Sequence, residues 1–255
     1  MTSKTTQLIS PEKLKYSPSS SSFNILGATY TKYSSGCHRA ILLASEGIRE
    51  FSIPEIYQVL GAHHEEQHLA KLKEKHGSEN VLDEVSLRVD TKDFKFSGRI
   101  DMIISGNEIH ETKGTISKRI LRENIKRKTV VPSHLSQAVC YKMFGNYETV
   151  VIVLAFYEVN MQGFKKLQEV EFNIDIDHRG FILSNGTWTG YCAHQILEHA
   201  QSSAEYYKTN LIPPRPQDYA AKFGSPCHFC PFKDVCNDEK FDSFDEFKTL
   251  CKEKL

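Results

Sequence analysis

The sequence lacks the features that would assign it directly to a class. Its 32 Lys and Arg residues balance 32 Asp and Glu residues, so net charge indicates no partner, although a basic groove can still lie beside an acidic site. The longest apolar run, Val150 to Tyr157, is too short to span a bilayer. The N-terminus has no apolar stretch typical of a signal peptide. We therefore expect a cytoplasmic protein without a membrane partner.

Cysteine is scarce, and the seven cysteines are an odd number. Without a secretory signal, this disfavours a disulfide framework and favours metal binding by clustered cysteines. A chain of 255 residues can bury its own core. We expect one compact domain with four parts, which are a flexible N-terminal arm (1–25), a helical segment (26–80), an α/β core (81–212) and a cysteine-rich C-terminal segment (213–255).

Hydrophobic periodicity predicts helices alternating with groups of strands. A Ser52–Glu55 capping box predicts a helix that continues to about Lys75. Further helices are expected over 38–47, 134–144 and 189–210, and strands over 82–91, 94–104, 108–114, 148–159 and 167–175.

The hairpin formed by the strands over 94–104 and 108–114 carries the most informative side chains. Glu111 and Lys113 share one face because side chains alternate along a strand. A three-residue loop over 105–107 pairs 104 with 108 and therefore places Asp101 opposite Glu111. A two-residue loop would put Asp101 on the other face. We expect the longer loop, with Asn107 in its left-handed position.

Two carboxylates and a lysine on one face are a suitable set for cutting a phosphodiester. Mg²⁺ prefers one or two carboxylates together with waters and substrate phosphates. By themselves, however, Asp101, Glu111 and Lys113 are more typical of a solvated strand face that carries an ion pair.

The order of several motifs resembles the RecB-like branch of the PD-(D/E)xK nucleases. Gly98-Arg-Ile-Asp101 precedes Glu111-Thr-Lys113, and Gln137-x3-Tyr141 follows on one helix face. Cys37 and a distant Cys227-x2-Cys230-x5-Cys236 complete the pattern of the iron–sulfur members. These members include the CRISPR-associated exonuclease and the nuclease domains of AddB-type proteins. The resemblance covers roughly residues 30 to 240. It implies a restriction-endonuclease-like mixed sheet flanked by helices, with an N-terminal helical part and a C-terminal cluster-binding knot.

The resemblance also implies a role for each matching residue. Asp101, Glu111 and the backbone carbonyl of Thr112 would bind Mg²⁺ or Mn²⁺, and Lys113 would orient the attacking water. Gln137 and Tyr141 would contact DNA or brace the site. The family's first motif is a histidine after a glycine, usually with three residues between. Only two separate Gly61 from His64, so His64 is expected as the ligand while His63 and Glu65 stay open.

The cysteine spacing alone fits zinc, with His228 or another cysteine as fourth ligand. The resemblance instead implies a [4Fe–4S] cluster held by Cys37, Cys227, Cys230 and Cys236. Cys140 and Cys192 are expected in the core because both lie in apolar helical contexts.

Two further stretches allow other interpretations. His64-Glu-Glu-Gln-His68 satisfies the H-E-x-x-H signature of zinc proteases, but no third-ligand motif follows it. The basic stretch from Lys118 to Lys128 is either a solvated face or a groove that neutralises DNA phosphates.

The function expected from these motifs is metal-dependent DNA exonuclease activity on ends or single strands, in CRISPR adaptation or recombination and with protein partners from either pathway. The alternative is a catalytically silent iron–sulfur adaptor that binds DNA.

Overall fold

A computed structural model describes residues 6–8, 24–26, 37–48, 55–214, 232–237 and 241–253. The strands there are β1 (Thr6–Leu8), β2 (Asn24–Leu26), β3 (Val81–Asp90), β4 (Lys95–Ile104), β5 (Glu108–Thr115), β6 (Thr149–Asn160), β7 (Gly163–Ile176), β8 (Phe181–Ser184) and β9 (Thr187–Cys192). The α-helices are α1 (His38–Ser45), α2 (Glu55–His76), α3 (Lys118–Arg127), α4 (Pro132–Gly145), α5 (Ala193–Thr209), α6 (Lys233–Asn237) and α7 (Phe244–Glu253). Within these ranges no helix is long and apolar enough to cross a membrane.

The strands form one mixed sheet in the order β1-β3-β4-β5-β6-β7-β8-β9, with β2 paired to β4. The pairs β1–β3, β2–β4 and β5–β6 are parallel, and the other pairs are antiparallel. The predicted fold class, a mixed α/β sheet flanked by helices, is confirmed.

Helices cover both faces of the sheet, and β6 shows this most clearly. Val150, Ile152 and Leu154 join the main core, which also contains residues of α4 and α5. The alternate residues Ala155 and Tyr157 instead pack with Leu60 of α2. A strand buried on both faces needs a continuous apolar sequence, which explains the run from Val150 to Tyr157.

Most predicted elements are present within a few residues of the expected bounds. The helix expected from 189 is wrong at its start, because Thr187–Cys192 is a strand and α5 begins at Ala193. The β8–β9 hairpin was missed although Asn185-Gly186, a common two-residue hairpin turn, connects it with φ of 47° and 73°. Cys140 and Cys192 are buried as expected.

Two short strands precede helix α1: Thr6–Leu8 pairs with β3 and Asn24–Leu26 pairs with β4. The rest of the arm, Ser52 of the capping box, Cys227, Cys230 and His228 lie outside the described residues.

Candidate active site

The site begins with a gap in the hydrogen-bond ladder of β4. One edge of β4 pairs with β3 from Asp90↔Lys95 to Val81↔Ile104, with a break at Asp101. Its other edge pairs with β2 at 95–97 and with β5 at 102–104. The four residues between these pairings, 98–101, are the Gly-Arg-Ile-Asp motif. The motif therefore occupies a strand segment whose second edge is open to side chains.

The predicted hairpin register is confirmed, because Ile104 pairs with Glu108 across a turn at 105–107. The prediction for Asn107 is wrong. Ser105 and Gly106 have the positive φ values, 49° and 74°. Asn107 instead accepts a hydrogen bond from the backbone N–H of Glu148 through Oδ1, at 3.2 Å. Its side chain thereby ties the turn to the start of β6.

The two carboxylates fill the gap between β4 and β5. Oδ2 of Asp101 accepts hydrogen bonds from the backbone N and from Oγ1 of Thr112, at 2.8 and 3.0 Å. Oε1 of Glu111 accepts from the backbone N of Asp101 at 3.3 Å. Each carboxylate thus replaces a ladder acceptor that the separated strands no longer supply, so both are held at fixed positions.

The backbone on the other side of Asp101 is also irregular. The β3–β4 register passes from Asp83↔Met102 to Val85↔Ile100, and Glu84 between them has a left-handed φ of 49°. Non-glycine residues rarely adopt this conformation, and such strain is concentrated at functional sites.

The charges at the site are unbalanced. Glu111 is 1% exposed, and Lys113 donates to its Oε2 at 3.1 Å. Burial and then the charge of Asp101 raise the pKa of Glu111 to about 8, although Lys113 opposes the shift. Burial lowers the pKa of Lys113, but Glu111 and Asp101 outweigh it and hold that pKa above its usual value. One lysine therefore does not offset two carboxylates. A solvated strand face is excluded.

Helix α4 closes the site from one side. Nε2 of Gln137 donates to Oη of Tyr141 at 3.1 Å, and this hydroxyl donates to the carbonyl oxygen of Arg99 at 2.7 Å. Arg99 lies in the open segment of β4, so Tyr141 also occupies a position that a strand partner would otherwise fill. The two residues brace the strand that carries Asp101.

Both ring nitrogens of the expected ligand His64 lie beside residues of β6. Its Nε2 lies 3.2 Å from the carbonyl oxygen of Val153, and its Nδ1 lies 3.0 Å from Oη of Tyr157. Burial lowers the pKa of His64, whereas the charge of Asp101 acts to raise the pKa of both His64 and its neighbour Glu65. Burial and then the charge of Asp101 raise the pKa of Glu65, and Lys113 lowers it. Three residues separate Gly61 from Glu65, which is the spacing expected of the first motif. The spacing favours Glu65 over His64.

The H-E-x-x-H stretch does not form a zinc site in the described structure. Nε2 of His68 lies 2.9 Å from Nδ1 of His110, whose Nε2 lies 2.6 Å from Oε1 of Glu108. Among the described residues, no three His, Cys, Asp or Glu side chains converge to hold a metal ion. Thus His68 contacts β5 through His110, whereas His64 contacts β6.

The site nevertheless fits a hard divalent cation. The donors are two carboxylates, which suit Mg²⁺ or Mn²⁺ together with the carbonyl of Thr112, waters and a substrate phosphate. Burial and then the charge of Asp101 raise the pKa of Glu111. A cation beside Glu111 and Asp101 would supply positive charge.

Arg39 joins an early segment of the chain to two late ones. Arg39, two residues after Cys37 in α1, donates to the carbonyl oxygens of Pro213 and Cys236, at 2.7 and 3.2 Å. Its guanidinium lies 5.3 Å from the ring centre of Phe247. The two described members of the expected cluster set, Cys37 and Cys236, are thus carried by segments that Arg39 joins.

The basic stretch forms helix α3 directly after β5. Oγ of Ser117 caps it by accepting from the backbone N of Ile120, at 3.4 Å. Its cationic residues Lys118, Arg119, Arg122, Lys126 and Arg127 are exposed. The helix begins five residues beyond Lys113, so its cations are close to the site along the chain.

Helix α4 carries one further buried polar group that was not anticipated. His134 lies three residues before Gln137 in α4, and its Nδ1 is buried without a hydrogen-bond partner among the described residues. Burial and then the charge of Lys113 lower the pKa of His134 to about 3. The spacing 134, 137 and 141 on one helix face was the available signal.

Comparisons with known proteins give distant likenesses. No protein-family model matches the sequence, and no curated protein matches it. Among solved structures, SSO0001 is 19% identical to this chain, with a TM-score of 0.48. The aligned region covers 90% of this chain and 92% of the SSO0001 chain. LHK-Exo in complex with dAMP is 12% identical over 72% of this chain and 88% of its own, with a TM-score of 0.47. A phage-related exonuclease from Haemophilus somnus 129PT is 14% identical over 76% and 95%, with a TM-score of 0.42.

Proposed function

We propose that the chain is a metal-dependent DNA exonuclease whose reaction centre is formed by Asp101, Glu111 and Lys113. The observation that carries the proposal is the open segment of β4, where both carboxylates take over ladder positions and Lys113 contacts Glu111 at 3.1 Å. Folding alone does not require two carboxylates in this segment of the sheet. A buried, raised-pKa carboxylate beside a second one indicates a site for a cation.

In this function each residue has a distinct task. Asp101, Glu111 and the carbonyl of Thr112 would hold Mg²⁺ or Mn²⁺, with Glu65 nearby in place of the expected His64. When bound, the cation supplies positive charge that stabilises the phosphate and lowers the pKa of water. Lys113 stabilises negative charge that develops on the phosphate oxygens. Gln137 and Tyr141 keep the strand of Asp101 in place.

Helix α3 would bind the DNA backbone. Its exposed cations follow the strand of Lys113, and cations along one surface neutralise phosphates without reading sequence. Substrates with a free end or a single strand are the class we propose, in CRISPR adaptation or recombination.

The direct test uses end-labelled single- and double-stranded DNA with Mn²⁺ or Mg²⁺, with chelator, and with Lys113→Ala. We expect metal-dependent degradation that the substitution abolishes. The matched control is Lys71→Ala, which removes a lysine that pairs with Glu169 at 3.0 Å outside the site. This variant should cleave like the wild type.

Intact substrates with both wild type and Lys113→Ala would reject the nuclease. Retained DNA binding in that case would support the alternative, an adaptor that binds DNA without cutting it. Equal cleavage by Lys113→Ala and wild type would show that the activity does not come from this site.

We propose in addition that Cys37, Cys227, Cys230 and Cys236 hold a [4Fe–4S] cluster with a structural role. The contacts of Arg39 with Pro213 and Cys236 support this, since they bring the segment of Cys37 to that of Cys236. An all-thiolate set suits such a cluster.

Iron, acid-labile sulfide and zinc should be measured on anaerobically purified protein. We expect iron and sulfide, and their loss in Cys236→Ala. Cys192→Ser serves as the control because Cys192 is buried at the start of α5. If the protein contains zinc and no iron, the cysteines form a structural zinc site and not an iron–sulfur cluster.

A further inference from the structure

An ion pair lies beside the two carboxylates of the active site. Nη1 of Arg99 donates to Oε1 of Glu84 at 2.8 Å, and the two side chains are 52% and 38% exposed. Ion pairs as exposed as this one contribute little to the stability of a folded protein. Stability therefore does not explain why an arginine lies in the open segment of β4.

The register of the sheet places this pair next to Asp101. Glu84 lies opposite Asp101 at the break in the β3–β4 ladder, and Arg99 pairs with Ser86 two residues before Asp101. Two residues of a strand are about 7 Å apart. Burial raises the pKa of Glu65, as do the charges of Asp101 and Glu84, whereas the charge of Arg99 lowers it. The pair therefore lies within the surroundings of the proposed cation site.

The backbone of Arg99 is fixed, while its head group keeps unused donors. The carbonyl oxygen of Arg99 accepts a hydrogen bond from Oη of Tyr141 at 2.7 Å. A guanidinium has five N–H groups in a planar fork, which can give two parallel hydrogen bonds to one carboxylate or phosphate. Among the described residues, however, the Arg99 side chain donates to Glu84 through Nη1 alone. The fork can therefore bind another anion without any movement of the strand.

Glu84 is a partner that a phosphate can replace. It has a left-handed φ of 49°, which is unfavourable for a residue other than glycine. It also lies opposite the like charge of Asp101, and like charges directly opposite on neighbouring strands repel each other. Arg99 offsets this repulsion in the DNA-free protein. A single hydrogen bond to an exposed carboxylate is weaker than a bidentate contact with a phosphate.

We propose that Arg99 binds the DNA phosphate that adjoins the reacting one, and that Glu84 holds the guanidinium beside the site until DNA replaces it. The inference rests on the proposed nuclease function and adds a DNA contact to it. Lys113 contacts the carboxylates themselves, whereas Arg99 lies two residues further along β4, at the distance of a neighbouring phosphate. Because its phosphate does not react, Arg99 contributes to DNA binding and not to the chemical step.

The test is a double-mutant cycle on DNA binding with Glu84→Gln and Arg99→Gln. Binding of end-labelled single-stranded DNA is measured with chelator present, so that no cleavage interferes. We expect Arg99→Gln to weaken binding about tenfold, as loss of a charged hydrogen bond does. We expect Glu84→Gln to strengthen binding about three- to fivefold, because the phosphate no longer has to displace a carboxylate. In the Arg99→Gln background, Glu84→Gln should have no effect.

The cycle separates competition for Arg99 from a general effect of charge. If Glu84→Gln strengthened binding equally in both backgrounds, the loss of a negative charge would be the whole effect and the proposal would fail. Wild-type affinity in Arg99→Gln would also overturn it. Arg179→Gln is the matched control, since Arg179 is an exposed arginine that pairs with Asp177 at 3.0 Å in the turn before β8. This variant should bind DNA like the wild type.

Cleavage kinetics with Mn²⁺ give a second readout, which a purely structural role would not produce. Arg99→Gln should raise KM for DNA about tenfold and change kcat by less than about threefold, since it removes binding to a phosphate that does not react. Arg99→Lys should have an intermediate KM, because lysine keeps the charge but loses the planar fork. A lower kcat at an unchanged KM would overturn the assignment to the adjoining phosphate.

The two proposals can fail separately. If the wild type binds DNA but cuts none, the nuclease is rejected and the binding cycle still decides the role of Arg99. If the wild type cuts DNA and the cycle shows no coupling, the nuclease stands and the role of Arg99 is rejected. A wild type that neither binds nor cuts DNA rejects both. A lower urea midpoint for Arg99→Gln with unchanged DNA affinity would identify a stabilising ion pair and overturn the inference.

Discussion

The ring of Tyr141 occupies the space that a side chain at position 98 would need. A Cβ on Gly98 would lie 2.4 Å from Cε1 of Tyr141 and 3.0 Å from its Oη. The glycine of the Gly-Arg-Ile-Asp motif is therefore required so that a helix side chain can reach the open edge of β4.

We expect Gly98→Ala to displace Tyr141 from the carbonyl of Arg99 and to lower the free energy of unfolding by about 1–3 kcal/mol through overpacking. Cleavage should fall with it, because the strand of Asp101 loses its brace. Urea unfolding and DNA degradation measure the two effects. The control is Gly61→Ala, whose added methyl would meet nothing within 4 Å. That variant should be at least as stable as the wild type.

Tyr141→Phe tests the contribution of the hydroxyl separately from that of the ring. The change keeps the ring but leaves Nε2 of Gln137 and the carbonyl of Arg99 without their partner. Buried polar groups in this state cost about 1–3 kcal/mol of unfolding free energy. An unchanged urea midpoint would mean that water replaces the hydroxyl.

Stability should fall in mild acid because of His68, which is 1% exposed. Burial, followed by the neighbouring His110, lowers the pKa of His68 to about 3. The unfolded state takes up the proton near pH 6.5, so stability is complete above that pH and is lost as pH falls toward 3. Between pH 7.5 and 5 this group should remove about 2 kcal/mol. Urea unfolding at both pH values measures the loss, which His68→Gln should reduce; an identical loss in the variant would contradict the assignment.

Arg39 should control retention of the proposed cluster. Arg39→Lys cannot make both hydrogen bonds, to Pro213 and to Cys236, with the geometry of a planar guanidinium. We expect iron to be lost faster from this variant in the presence of a chelator. Arg179→Lys, on an exposed turn beside Asp177, is the control. Equal rates of iron loss from the wild type and both variants would show that Arg39 does not help to retain the cluster.

The cations of α3 should determine the salt dependence of DNA binding. Replacing Lys118, Arg119 and Arg122 by Gln should weaken binding at low salt. The slope of log affinity against log salt should decrease by about 0.7–0.9 for each phosphate that the variant no longer neutralises. Lys208→Gln, an exposed change in α5, is the control and should leave the slope unchanged. A weaker affinity with the same slope would indicate misfolding rather than weaker neutralisation of the DNA backbone.

Local sequence determined the central part of the site. The three-residue turn and the period of a strand were enough to place Asp101 opposite Glu111 and on the side of Lys113, and Gln137 and Tyr141 on one helix face. These relations depend on neighbours within one hairpin or two helical turns. The left-handed conformation was predicted at Asn107 but occurs at Ser105 and Gly106. A loop of a given length can close in several conformations, so its length does not determine which residue becomes left-handed.

Only the tertiary structure decided what surrounds these residues. The open segment of β4 exists because β2, far away in sequence, pairs with 95–97 while β5 pairs with 102–104. Spacing alone favours Glu65, whereas the contacts of His64 with Val153 and Tyr157 of β6 became visible only in the tertiary structure. The raised pKa of Glu111 arises from burial under packed helices. Contacts between segments that are distant in sequence determine which side chains are buried and which strands pair. The local sequence around a residue does not specify those contacts.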